Sequence, residues 1–134
     1  MATVDYNDLS RTAQWREGKG GSSYDASSDV SNTTASAYVG SHRKKIKLRG
    51  VYVVCTKAWA AGTSVAINVG NKNTVGAYAT ATVTLAQMAT VGDTVSLTIS
   101  EDEVEANTSI LLNSTKSGSM TGNYEIVYDY TYVE

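Results

Sequence analysis

The chain has no proline and no phenylalanine, a single cysteine, a single histidine and no long apolar run. Each absence removes a class of explanation. One thiol, Cys55, rules out an internal disulfide, so the fold must be held by its core. At 134 residues the chain can bury roughly two thirds of the surface it would expose unfolded, which is enough for that. Cys55 lies within an apolar stretch and reads as a buried, inert thiol. His42 sits beside a run of cations with no local partner for metal binding or catalysis, and it reads as a loop residue.

No window approaches the eighteen or so apolar residues of a membrane span, and the opening MATVDYNDLS lacks the charged-then-apolar pattern of a signal peptide. Synthesis in a cytosol and no membrane association are therefore expected. The Asn-x-Ser/Thr triplets at Asn32, Asn107 and Asn113 carry no weight without such a signal. A formal charge of −2 argues against a nucleic-acid binder, which normally needs a basic face. No general acid, base or nucleophile has a partner, so no enzyme and no cofactor are expected.

What is present is a β-rich composition: nine tyrosines with abundant Thr, Ser, Val, Ala and Gly. Residues 1–33 are polar and Gly/Ser/Asn-rich, with no apolar period, and read as an extended, flexible N-terminal arm, loosest at residues 17–23 (EGKGGSS). The arm nevertheless carries Tyr6, Leu9, Trp15 and Tyr24. Bulky amphipathic rings dominate interfaces, so Tyr6, Trp15 and Tyr24 are candidate anchors on a partner; a loose tail with incidental aromatics is the other reading.

Residues 34–134 read as one β-sandwich domain. Alternation predicts strands over 34–39, 45–56, 64–69, 79–85, 94–100, 109–113 and 123–133, with a short helical turn near 85–89. Residues 50–70, GVYVVCTKAWAAGTSVAINVG, form the clearest unit: an apolar strand covered on both sides, a turn with Gly62 and an alternating strand, read as a hairpin. Trp59 is expected to plug one end of the core. About seven or eight strands without intervening helices predict a single antiparallel sandwich, jelly-roll-like, with immunoglobulin-like order as the runner-up.

Charge is uneven. Arg43, Lys44, Lys45, Lys47 and Arg49 precede or flank the first long strand. Either they form a solvated face that discourages edge pairing, or Arg43, Lys44 and Lys45 dock an acidic partner. Glu101, Asp102, Glu103 and Glu105 read as a solvated loop, since calcium-loop spacing is missing. In the last strand Tyr124, Tyr128, Tyr130 and Tyr132 share a face with Ile126. They are core filling, an inter-subunit face, or a platform for stacking sugars.

The run VYVVCTKAWAAGTSVAINVG, followed by NKNTVGAYATATVTL and the tyrosine strand, resembles small β-sandwich proteins of tailed-bacteriophage virions, over about residues 34–134. The resemblance implies a non-enzymatic head decoration (cement) protein on the outer surface of the capsid. Such a protein contacts the major capsid protein across capsomer boundaries and is commonly a trimer. The longer polar N-terminal segment and the 43–45 cluster depart from that group. A tail or fibre module shares the fold, and a carbohydrate-binding jelly roll using Tyr128, Tyr130 and Tyr132 is the alternative from another class.

Overall fold

The computed structural model describes residues 17–31 and 38–133. The described chain is a sandwich of two antiparallel sheets, built from β1 (Glu17–Asp25), β2 (Tyr38–Gly40), β3 (Ile46–Ala60), β4 (Ser64–Gly70), β5 (Ala79–Thr84), β6 (Thr94–Ser96), β7 (Thr98–Ile99), β8 (Glu103–Val104), β9 (Ile110–Ser117) and β10 (Thr121–Tyr132). One sheet runs β1-β10-β3-β6, with β8 also on β3; the other runs β2-β9-β4-β5-β7. First and last strands are neighbours, and the chain crosses between sheets repeatedly. That is the double Greek key of a jelly roll, and it excludes the immunoglobulin-like order.

β10 is the strand whose sequence predicts it most directly. Its alternation puts Tyr124, Ile126 and Tyr128 in the core, while Tyr130 and Tyr132 are half-buried against it. β3, its neighbour, changes phase. Ile46 and Leu48 are buried, then Val51, Val53 and Cys55. The switch occurs where the register slips: Asp129 faces Gly50 but Tyr130 faces Leu48, leaving Arg49 as the extra residue of a β-bulge. Beyond the bulge Tyr52 and Val54 point to the outer face and are half-buried, not covered as the apolar run suggested.

Three expectations are corrected. Residues 50–70 are not a hairpin, because β3 pairs with β10, β6 and β8, whereas β4 pairs with β5 and β9. The link over residues 61–63 carries the chain from one sheet to the other, through Ala61 (φ 59°) and Gly62 (φ 70°). The strand expected over 94–100 breaks at buried Leu97, whose N–H donates to the Val51 carbonyl (2.8 Å); β6 joins one sheet and β7 the other.

The third correction concerns residues 17–23. They form most of β1, paired with β10 in unbroken register from Glu17–Thr131 to Asp25–Asn123, so the sandwich begins well before residue 34. Its glycines are there for space: a Cβ at Gly18 would meet the ring of Tyr130, and one at Gly20 the ring of Tyr128. Gly21, at φ 153°, would drive a Cβ into the backbone carbonyl of Ile126. Glycine composition suggested flexibility, but the missing side chains are what let the tyrosine rings lie across this edge.

Candidate functional site: a basic tip on a tyrosine wall

The expected site residues separate into three groups. Tyr6 and Trp15 lie outside the described residues. Tyr24 is in the core: it is 8% exposed, its ring lies 5.7 Å from that of Tyr124, and its hydroxyl donates to the Tyr38 carbonyl (2.7 Å). Burial pushes its phenol up to about 12. As an exposed anchor for a partner it is therefore corrected; the ring is already packed within its own chain.

The tyrosine face is a wall, not a platform. Tyr124 and Tyr128 are buried, and burial raises both phenols, Tyr124 to about 12. Tyr130 and Tyr132 meet edge-on with centroids 5.5 Å apart, and burial lifts the Tyr130 phenol to about 12. Flat stacking on a sugar needs open ring faces, and the side of the wall near residue 42 is taken by another ring. His42 lies 4.3 Å from Tyr130 and edge-on to Tyr128 and Tyr132, and its Nε2 shares a hydrogen bond with the Tyr128 hydroxyl (2.8 Å). Desolvation lowers the pKa of the imidazole. Sequence reasoning treated His42 as an ordinary loop residue; its role becomes visible only when residue 42 is set against residues 128–132.

His42 fixes the β2–β3 loop, which is tied down along its length. The Tyr38 hydroxyl bonds Ser41 Oγ (2.9 Å), the Asn107 N–H donates to the His42 carbonyl (2.7 Å), and the Val133 N–H donates to the Lys45 carbonyl (2.9 Å). Between these ties Arg43 and Lys44 are exposed, and neither has an ion-pair partner among the described residues. Tyr38, the first residue of β2, whose hydroxyl reaches Ser41 in this loop, is 44% exposed, one of the few large hydrophobic residues left open among the described residues.

The rest of the cationic run is neutralised internally. Lys45 Nζ sits 2.8 Å from Glu103 and 3.3 Å from Glu105, which raises its pKa, and Lys47 Nζ is 3.6 Å from Asp102. The basic run and the acidic segment are thus each other's partners, because β8 pairs with the start of β3. Lys45 is corrected as a residue free to dock an acidic surface. What remains is a small fixed tip: two cations with no ion-pair partner among the described residues, in a loop whose Ser41 is bonded by the exposed Tyr38. Beside it, a polar cleft of about 510 Å³ lies between residues 71–78 and 105–109, lined by Lys72, Asn73, Glu105 and Asn107 among others. It contains none of the residues expected from sequence to contact a partner.

The described residues hold no cluster of three His, Cys, Asp or Glu side chains able to bind a metal. Cys55 is buried, and burial raises its thiol pKa.

This arrangement of strands has a counterpart among solved structures. The fold is similar to that of a chain in the Cyanophage Pam1 capsid asymmetric unit. The likeness has a TM-score of 0.59 and covers 87% of this chain and 85% of that one, at 13% identity, so it speaks for the fold alone. A chain of the acidic stable capsid structure of Helicobacter pylori bacteriophage KHP30 aligns over 88% of this chain and 98% of its own at 14% identity, but a TM-score of 0.38 carries no argument. No protein-family model and no curated protein matches the sequence.

Proposed function

We propose that the chain is a non-enzymatic structural protein of a bacteriophage virion that decorates the outer surface of the capsid and stabilises it by binding the major capsid protein across capsomer boundaries. The observation that carries this reading is the jelly-roll likeness to a chain of a cyanophage capsid over 87% of the sequence. The mechanism is mass action, since a component that binds only the assembled shell lowers the free energy of the assembled state. Several copies held together would gain avidity because later contacts become intramolecular.

The tip of Arg43, Lys44 and Tyr38 is the docking element in this reading. Arg and Tyr are the residue types enriched where interface energy concentrates, and unpaired cations on a fixed loop complement an acidic surface. Tyr6 and Trp15 belong to the same proposal, as anchors from the N-terminal segment.

Purified protein should co-sediment with phage heads at hundreds of copies per head, and binding should weaken as salt rises. Arg43→Glu/Lys44→Glu should abolish co-sedimentation at 150 mM salt, roughly the ionic strength at which the screening length is about 8 Å, while leaving the melting temperature unchanged. A handful of copies per particle would indicate a tail position instead. Binding by the double variant equal to wild type would remove the tip from the mechanism.

A further inference from the structure

We propose that β1 is a self-association edge: it pairs antiparallel with β1 of a second copy about a twofold axis at Ser22, joining the two β1-containing sheets into one continuous sheet. This goes beyond the virion reading and does not depend on it.

The sandwich has four lateral edges, and three are closed off. The sheet of β1 ends on its far side in β6 and β8, of three and two residues. The other sheet ends in β2, three residues with a broken register, and in β7, two residues. Edges this short offer too few backbone groups to template another strand. The fourth edge differs. β1 runs nine residues without a bulge, and among the described residues it pairs on one side only, its other side meeting no strand and no loop hydrogen bond. It contains no proline and, between Gly20 and Ser23, no charge.

The occupant is fixed by the pattern of the edge itself. Gly18, Gly20, Ser22 and Tyr24 face the core side, opposite Tyr130, Tyr128, Ile126 and Tyr124, so Lys19, Gly21, Ser23 and Asp25 share the outer face. Lys19 is 77% exposed and, among the described residues, is held only by a 3.6 Å contact to Asp129; Asp25 is exposed with one carboxylate oxygen engaged by Ser27. Laid antiparallel on itself about Ser22, the strand puts Lys19 of each copy directly opposite Asp25 of the other. Gly21 then faces Ser23, so the middle of the seam carries nothing bulky. Every pair in this register joins residues of like parity, so outward-pointing N–H and C=O groups of one copy meet those of the other. Opposite charges at the two ends of one face give the self-complementarity a twofold interface requires.

Sedimentation velocity of the full-length chain tests this. The expected result is a concentration-dependent species of twice 14.2 kDa. Lys19→Asp sets two acids opposite each other at both ends of the seam and should weaken dimerisation about tenfold or more. Adding Asp25→Lys to that variant should recover most of the loss, with far-UV circular dichroism confirming that each variant is folded. Because Asp25→Lys also loses the Ser27 contact, a second test leaves the charges native. Ser22→Cys chains should cross-link to dimers under mild oxidation, whereas Ser28→Cys chains should not. A monomer at every concentration, a three-copy species, a dimer indifferent to Lys19→Asp, or no cross-link through residue 22 would each overturn the proposal.

Discussion

Gly20 lies directly under the ring of Tyr128, its register partner on β10, and a Cβ at residue 20 would occupy the space of that ring. Tyr128 cannot move aside. Its hydroxyl is bonded to His42, it is buried, and a Cβ at Gly40 would meet the same hydroxyl from the other side. Gly20→Ala is therefore an over-packing substitution, expected to cost about 1–3 kcal/mol in urea unfolding. Ser23→Ala, exposed on the outer face of the same strand, should stay within about 0.5 kcal/mol of wild type. Equal effects at the two positions would mean that the glycine serves flexibility and not fit.

His42 makes stability depend on pH in a defined direction. Packing among Tyr128, Tyr130 and Tyr132 desolvates the imidazole and lowers its pKa from 6.5. Below that value the unfolded chain takes up a proton that the folded chain resists, so this contribution is complete above about 6.5 and is lost as pH falls through the lower folded value. Asp25 works in a separate and more acidic window. Hydrogen bonds from Ser27 hold its carboxyl below 3.8, so its contribution is present above that pH and disappears as pH falls further. Thermal melts between pH 7 and pH 5 should show wild type losing stability where His42→Gln does not; parallel profiles would show that folding leaves the His42 pKa unchanged.

How much of this was legible in the sequence depends on whether a feature is local. The alternation of β10 is a local signal, and it suffices to put Tyr124, Tyr128, Tyr130 and Tyr132 on one face. The choice of the core over a sugar platform was not local, because it rests on Gly18, Gly20 and His42, which come from β1 and the β2–β3 loop. The spacing of Gly18 and Gly20 matches that of Tyr130 and Tyr128, but the two patterns gain meaning only once β1 and β10 are known to be neighbours. The bulge at Arg49 was hidden because Val51–Val54 are apolar at every position, so a phase change leaves no trace in the alternation. The sheet changes at residues 61–63 and at Leu97 read as an ordinary turn and an ordinary strand residue, since their neighbours are set by the double Greek key. The basic and acidic runs were each visible, and their pairing through Lys45 and Glu103 was not.

Trp59 closes one end of the core, as its place beside small residues suggested. Its ring is edge-on to Tyr124 with centroids 5.7 Å apart, its Nε1–H donates to the Asn123 carbonyl (3.3 Å), and a Cβ at Gly122 would strike it. Trp59→Ala removes a large buried ring and should cost about 3–5 kcal/mol. Trp59→Phe keeps much of the ring and loses the donor, leaving the Asn123 carbonyl to find another partner, and should cost less, about 1–3 kcal/mol. Urea unfolding monitored by far-UV circular dichroism separates the two, and a cost for Trp59→Ala below that of Trp59→Phe would contradict the packing role.

The turn between β3 and β4 holds two consecutive residues in the left-handed region, only one of them glycine. Ala61, at φ 59°, bears a Cβ crowded against its own backbone, a cost of roughly 1–2 kcal/mol for an L-residue. Gly62, at φ 70°, meets the same restriction, and a Cβ there would also press on the side chain and backbone nitrogen of Met120, which is buried. Substitutions at these neighbours should therefore act in opposite directions. Ala61→Gly relieves the crowding but enlarges the conformational freedom of the unfolded chain, for a net gain of about 0.5–1 kcal/mol. Gly62→Ala adds backbone strain to a clash and should cost more than about 1 kcal/mol. The difference in unfolding midpoint between the two variants is the measurement. A destabilised Ala61→Gly would show that the methyl group at residue 61 contributes packing that outweighs its strain.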